Sequence, residues 1–359
     1  MEDGVRFFMM VFTVFLVIGM FSIYADGPGR IELTENDSVE VLVEDLEVPW
    51  DVEFLPDGDI LVTERPGRLV RIGDNLSVHE VEGVAHRGEG GLLGLALHPD
   101  FEENSLLYLY MTTETDGGII NRVVRYSYSD HGLSQPETII SNIPGASYHD
   151  GGRIAFGPDG FLYITTGDAG DAMSAQDRDS LAGKILRLEP DGSVPDGNPF
   201  GTPVYSYGHR NPQGLTWDEQ GRLWSTEHGR SGVRSGLDEL NLIEKGGNYG
   251  WPVIQGDETQ EGMLTPELHS GPETTWAPAS AEYHNGSIFF GGLRGSTLYQ
   301  AVIGEEIVLE KHFEDRFGRI RDVKVPGEYL YFTTSNRDGR GTPEDSDDRL
   351  IRVSLDYFG

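Results

Sequence analysis

One pattern recurs along this chain: an apolar strand, a tight turn of the Pro-Asp-Gly kind, and a second strand ending in Thr or Ser. It reads VEFLPDGDILVTE over Val52–Glu64 and IAFGPDGFLYITTGD over Ile154–Asp168. Weaker copies are LALHPDFEENSLLYLYMT (Leu95–Thr112), LTWDEQGRLWSTE (Leu215–Glu227), AEYHNGSIFFGG (Ala281–Gly292) and VKVPGEYLYFTTS (Val323–Ser335). Each copy reads as a hairpin with a tight turn. The copies recur at intervals of roughly 40 to 70 residues, near or above the blade lengths of propellers. The expected fold is therefore all-β, a six-bladed β-propeller whose blades are four-stranded sheets with long inserts at one end. A β-sandwich is the alternative, but it does not account for the repetition. Ring closure is expected to pair Val39–Val43 with the C-terminal strand Leu350–Leu355, which removes the free edges.

The expected organisation is a signal peptide or membrane anchor over residues 1–25, a linker over 26–38 and one propeller over 39–359. Phe7–Ala25 is almost wholly apolar, a length that suits either a long signal h-region or a single span. Glu2 and Asp3 outweigh Arg6 ahead of it, and no twin-arginine pair is present. The protein is expected to be secreted or extracytoplasmic, touching a membrane only through this segment if it is not cleaved. Asp345–Asp348 reads as a solvated loop.

Formal net charge is −33, with 60 Asp and Glu against 27 Lys and Arg. That excludes sequence-independent nucleic-acid binding, which needs a basic surface. The acidity is spread along the whole chain, as in proteins kept soluble by charge in concentrated salt, and reads as halophilic. There is no cysteine, so disulfides, thiolate metal sites and cysteine nucleophiles are excluded.

Several segments carry candidate chemistry. YGHRNPQG (Tyr207–Gly214) places Arg210, Asn211 and Gln213 in one short loop. A guanidinium fork and two amides suit a planar, multiply anionic ligand. His149, in YHDGGR before the third repeat, suits a general base near neutral pH. Asp168, which ends the following hairpin, is placed to return beside it. Glu89 lies in a glycine-rich turn before the second repeat, directed at the same axis. Arg319 and Arg321 open the last repeat at period-two spacing, which puts both on one strand face. Like charges so placed call for an anion between them. Arg294 is a third cation in the fifth repeat. The insert with Asp238-Glu239-Leu240-Asn241 and Gly246–Pro252 is rich in hard oxygen donors, which together with the carbonyls of Gly229-Arg230 suit Ca²⁺. Trp276 is either an aromatic wall or core.

In this order GGLLGLALHPDF, HDGGRIAFGPDG, GKILRLEPDG, YGHRNPQG, DELNLIEKGGNYGWP and RIRDV resemble the soluble quinoprotein glucose/sorbosone dehydrogenases, most of all the aldose sugar dehydrogenase branch. The resemblance runs from about Val48 to Arg352. It implies a six-bladed propeller that binds pyrroloquinoline quinone (PQQ) with Ca²⁺, and an aldose oxidised at C1 to its lactone for an unidentified electron acceptor. It makes His149 the base and Asp168 its orienting partner, with Arg210 stabilising the developing oxyanion. Arg210, Asn211, Gln213, Arg319 and Arg321 match its cofactor positions, as Glu89 and Arg294 do with changed residue types. Gly229 and Arg230 match positions whose carbonyls bind the activating Ca²⁺, and Glu239 and Tyr249 match positions assigned to a Ca²⁺ in the aldose dehydrogenase branch. The chain departs from the family pattern at Glu89 (a glutamine in the glucose dehydrogenase branch), Tyr148 (aspartate), Arg230 (proline) and Arg294 (lysine). A Ca²⁺-dependent sugar lactonase and a non-catalytic glycan-binding propeller are the readings from other classes.

Overall fold

Six antiparallel sheets of four strands each stand around one axis in a computed structural model that describes residues 38–232 and 235–359. The expected leader over 1–25 and all of the linker but Ser38 lie outside the described residues. Blades 1 to 5 run in chain order, their innermost strands being Pro49–Phe54, Leu92–Leu97, Ile154–Phe156, Pro212–Trp217 and Pro278–His284. Blade 6 starts at Ile320–Lys324, and its outermost strand is Val39–Val43, paired antiparallel with Leu350–Ser354 (Val39 opposite Val353). This is the expected ring closure. All six repeats of the sequence are the two inner strands of a blade.

The alternation of the repeats explains the packing. The second strands are buried throughout in blades 1, 3, 4 and 5 (Ile60–Glu64, Leu162–Thr166, Leu223–Glu227, Ser287–Gly292), because each lies between neighbours and faces an adjacent blade on both sides. Outer strands such as Leu76–Glu80 alternate exposed and half-buried residues.

Polar stitches join the blades near the axis. Asp51 and Asp322 are fully buried, and both lie against the Arg153 guanidinium, at 2.5 and 3.1 Å. Asp51 also accepts the Leu95 N–H and Asp322 the Val52 N–H, at 2.8 and 2.7 Å. Blades 1, 2, 3 and 6 are thus tied by two carboxylates, whose burial requires such partners.

In five blades the register slips at the first residues of the innermost strand. Such bulges re-aim side chains, and all five lie at one axial end. Gln213 and Arg321 occupy two of these unpaired positions.

One expectation is corrected. Asp347 and Asp348 are buried at 1% and 0% exposure, not solvated. Asp348 accepts the Asn336 N–H at 2.5 Å, and Asp347 pairs with Arg349 at 3.0 Å. They brace the blade 6 loop that carries Asp338, a role a charge count along the sequence does not reveal.

Candidate active site

Loops from all six blades converge at the bulged end of the axis. One set enters the innermost strands and carries Glu89, His149, Arg210 and Arg319; the other leaves the second strands and carries Arg65, Asp168, His228, Arg294 and Asp338. Between them lies a cavity of about 710 Å³ lined by Glu89, His149, Arg210, His228, Gly229, Arg230, Arg294, Arg319 and Arg340, among others. A narrower pocket of about 160 Å³ shares Glu89, His228 and Arg340 with it and reaches Trp50, Arg65, Gln213, Arg321 and Asp338.

His149 and Asp168 meet as expected, with Nδ1 and Oδ1 at 2.7 Å. Their loops touch because residue 167 is glycine: a Cβ there would collide with the His149 carbonyl oxygen. His149 itself is left-handed at φ 59°, a strained state for a residue with a Cβ. The Glu89 carboxylate holds that backbone by accepting the His149 N–H at 2.8 Å. Burial opposes charge on Asp168, but hydrogen bonds from His149, the Gly170 N–H and the Trp251 indole outweigh it and keep the carboxyl below its usual range. An ionised Asp168 orients the imidazole with its proton on Nδ1, leaving Nε2 as the acceptor.

The Tyr207–Gly214 loop is fixed from beneath. Ser206 Oγ, the His209 ring and Glu227 form a hydroxyl–imidazole–carboxylate chain with links of 2.8 and 2.8 Å. The order resembles a hydrolase triad, yet all three residues are buried, so no substrate reaches the hydroxyl. Its work is scaffolding, since the second Glu227 oxygen accepts the Arg210 N–H. Asn211 Oδ1 accepts the Gly151 N–H at 3.0 Å and so ties this loop to the His149 loop. Arg210 donates to Ser231 Oγ at 2.7 Å. Gln213 Oε1 lies 3.5 Å from Arg321 Nη1.

Arg319 and Arg321 do converge, but not by period-two pleating. Arg319 precedes the strand, and Arg321 sits in its bulge. The anion between them is Asp338, 2.7 Å from Arg319 Nη2 and 3.5 Å from Arg321 Nη2. Burial pushes the Arg321 guanidinium down to about 9, still charged at neutral pH.

Gly229, Arg230 and Arg294 are on the cavity wall; Glu239 and Tyr249 are not among its lining residues. Tyr249 stacks on His209 at 4.7 Å and donates its hydroxyl proton to Leu242 O at 2.6 Å. Burial, with Glu227 opposite it in register, pushes Glu239 up to about 8. Trp276 is core, packed on Phe290 and Tyr299.

Residues 46–351 match the family model described as Glucose / Sorbosone dehydrogenase. The chain belongs to the glucose/sorbosone dehydrogenase family. It is 33% identical over 341 residues to the aldose sugar dehydrogenase of Escherichia coli (strain K12), spanning 84% of this chain and 91% of that protein. Among solved structures, the PQQ-bound form of aldose sugar dehydrogenase from Streptomyces coelicolor superposes with a TM-score of 0.82 at 39% identity, over 91% and 99% of the two chains. A putative oxidoreductase (glucose dehydrogenase) of Thermus thermophilus superposes at 0.83 with 45% identity, over 88% and 99%.

The residues of this glucose/sorbosone dehydrogenase fit a planar, multiply anionic quinone. Arg65 Nε, Arg210 Nε, Arg230 Nε and Asn211 Nδ2 are buried donors with no hydrogen-bond partner among the described residues. Buried donors left unpaired are costly; Arg210 and Arg230 line the larger cavity and Arg65 the narrower one, where an anionic group such as those of PQQ would pair them. For Ca²⁺ the donor set is hard oxygen. A Cβ at Gly229 would run into the Leu237 and Gly236 carbonyl oxygens, so backbone oxygens crowd the segment the resemblance assigns to the metal.

Arg65, Trp50, Asp338, Arg340 and His228 lie outside the sequence motifs, and Trp251 lies inside the blade 4 motif with no role that the motif assigns. A register signal reaches three of them: Arg65, His228 and Asp338 follow the second strand of their hairpins, as Asp168 does. Burial pushes His228 down to about 4, so its ring is neutral at neutral pH.

Proposed function

We propose that this protein, a PQQ-dependent sugar dehydrogenase, oxidises aldoses at C1 to aldonolactones. The observation that carries the reading is His149 on the wall of a cavity ringed by guanidinium groups, hydrogen-bonded to the buried Asp168. Bound PQQ supplies the hydride acceptor and Ca²⁺ the Lewis acid that polarises it. His149 Nε2 takes the proton of the C1 hydroxyl, and Asp168 stabilises the imidazolium formed. Arg210 adds positive charge where negative charge develops. Arg294, Arg319 and Arg321 would hold the anionic cofactor by charge, with Asn211 and Gln213 as directional partners, and Glu89 fixes the His149 backbone. Gly229 and Arg230 would give carbonyl oxygens to the activating Ca²⁺, and Glu239 and Tyr249 would serve a Ca²⁺ at the position assigned to one in the aldose dehydrogenase branch.

The apolar segment Phe7–Ala25 supports an extracytoplasmic protein, membrane-bound only if that segment is retained, that delivers electrons to an acceptor outside the chain. Among the described residues no helix is long and apolar enough to cross a membrane.

The test is reconstitution with PQQ and Ca²⁺, an aldose panel and an artificial acceptor dye. Dye reduction that requires both additions is expected. Lactone hydrolysis without an acceptor identifies a lactonase instead, and sugar binding with neither activity identifies a non-catalytic propeller. His149→Ala should lower kcat by about two to four decades with PQQ binding retained. Wild-type turnover in the loaded variant overturns the base assignment.

A further inference from the structure

Trp251 lies 83 positions beyond Asp168 in the chain, yet its indole Nε1–H donates to Asp168 Oδ2 at 2.9 Å. The other carboxylate oxygen, Oδ1, serves His149 Nδ1 at 2.7 Å and the Gly170 N–H at 2.8 Å. Trp251 is therefore the side-chain donor on the oxygen that His149 does not use. The same ring also faces Arg210, whose guanidinium carbon lies 5.2 Å from the ring centroid, within the range of a cation–π contact. Edge and face of one indole thus touch the orienting carboxylate and the cation of the proposed site.

The ring is held for this. The Trp251 N–H donates to Gly208 O at 2.9 Å, and the Trp251 carbonyl accepts Gln176 Nε2 at 2.7 Å. Gln176 is clasped in turn by Asn248, Nε2 to Oδ1 at 3.0 Å and Oε1 to Nδ2 at 2.9 Å. The long insert of blade 4 is thereby docked onto the loop that follows Asp168.

We infer that Trp251 is a positioning residue for proton transfer: it locks the Asp168 carboxylate in the rotamer that serves His149 and tempers its pull on the imidazolium. This rests on the dehydrogenase reading for its consequence in turnover, but not for its effect on the pair itself. Without the indole proton, Oδ2 loses a donor to its charged form and Asp168 becomes more basic. A more basic carboxylate holds the imidazolium more tightly, so the His149 titration moves up in pH. The other charged or polar groups around His149 stay in place: Tyr148, whose ring packs edge-on at 4.7 Å, Glu89 with its partner Arg340, and His228 and Arg210 across the cavity.

Trp251→Phe keeps the ring and removes the donor. Two readouts on cofactor-free protein decide the inference: the NMR titration of His149 in wild type and in W251F, and the indole Nε1–H resonance of Trp251 in wild type. Expected are an upward shift of the His149 midpoint by at least about half a pH unit in W251F, and a wild-type indole signal that moves with the same midpoint as His149. In the loaded enzyme, kcat of W251F should fall about 3- to 30-fold below that midpoint, with recovery at higher pH and an aldose KM within about threefold of wild type. A His149 titration unmoved in folded W251F overturns the inference. Should W251F not fold, a wild-type indole signal blind to the His149 titration overturns it equally. Failure of the dehydrogenase reading shows separately, as wild type that never reduces the dye.

Discussion

Arg340 of blade 6 pairs with Glu89 of blade 2 at 2.6 Å across the mouth of the cavity. Glu89 adds a carboxylate where an anionic cofactor is proposed to bind, and Arg340 cancels it. Burial opposes the charged form of Glu89, yet Arg340 and the His149 N–H outweigh burial and hold the carboxyl down at about 2. The pair is half open to water, the Arg340 side chain being 58% exposed, so its coupling is modest, about 0.2–1 kcal/mol. Arg340→Ala should weaken PQQ binding by about two- to fivefold, and Glu89→Gln in the same chain should restore it. Cofactor titrations of the two single variants and the double variant check this. Equal losses in R340A and E89Q/R340A would show that Arg340 acts on the cofactor directly.

Arg319 and Arg321 share Asp338, Arg319 lining the larger cavity and Arg321 the narrower pocket. Removing either takes away one charge-assisted hydrogen bond to an anionic ligand, about 1.5–3 kcal/mol, or roughly 10- to 150-fold in Kd. Arg319→Ala and Arg321→Ala should each raise the PQQ dissociation constant in fluorescence titrations. Unchanged titrations in both would remove these residues from the cofactor site.

Buried carboxyls make stability fall as pH rises. Burial pushes Glu282 up to about 7 and Asp150 up to about 6. Each binds a proton in the folded chain where the unfolded chain has already lost it. Their contribution is complete below the unfolded values, near 4, and disappears as pH climbs through about 6 and 7. Asp168 and Asp338 run the other way, their carboxyls being held low, and their contribution is lost only in acid. Between pH 5 and 8 Asp51 and Glu239, both pushed up to about 8 by burial, act in the same sense as Glu282 and Asp150, and His228, held down to about 4, opposes them only up to about pH 6.5. Melting temperature at fixed salt should fall over that range by several degrees, and Glu282→Gln should flatten the slope. A melt that rises from pH 5 to 8 would reverse the assignment.

A net charge of −33 repels itself unless counter-ions screen it. The Debye length shrinks from about 10 Å at 0.1 M to about 3 Å at 1 M salt. Melting temperature should therefore climb with NaCl or KCl toward molar concentrations. Ca²⁺ should add more than its ionic strength supplies, because it binds a site the unfolded chain lacks. Melts across salt, with and without chelator, check both. A salt-independent melt removes the halophilic reading, and a chelator-independent one removes a stabilising Ca²⁺.

The six hairpins, the blade count and the closing pair of Val39–Val43 with the C-terminal strand were legible in the sequence. So was the meeting of His149 with Asp168, since both flank one hairpin and local geometry brings its ends together. Arg319 and Arg321 were legible as a pair, but not the reason they converge. Pleating assigns faces within a regular strand, and a bulge cancels that rule at Arg321.

What the sequence by itself determined is therefore what local periodicity encodes: alternating strands, turns with their required residues, and side chains placed near the same hairpin end. What only the tertiary structure decided are the contacts between blades. Arg340 of blade 6 neutralises Glu89 of blade 2, Trp251 of blade 4 donates to Asp168 of blade 3, and Arg153 of blade 3 lies against Asp51 of blade 1 and Asp322 of blade 6. Each joins residues that ring closure brings together from separate loops or blades. Their separation along the chain carries no periodic signal, because the distance between them is set by how sheets pack around the axis.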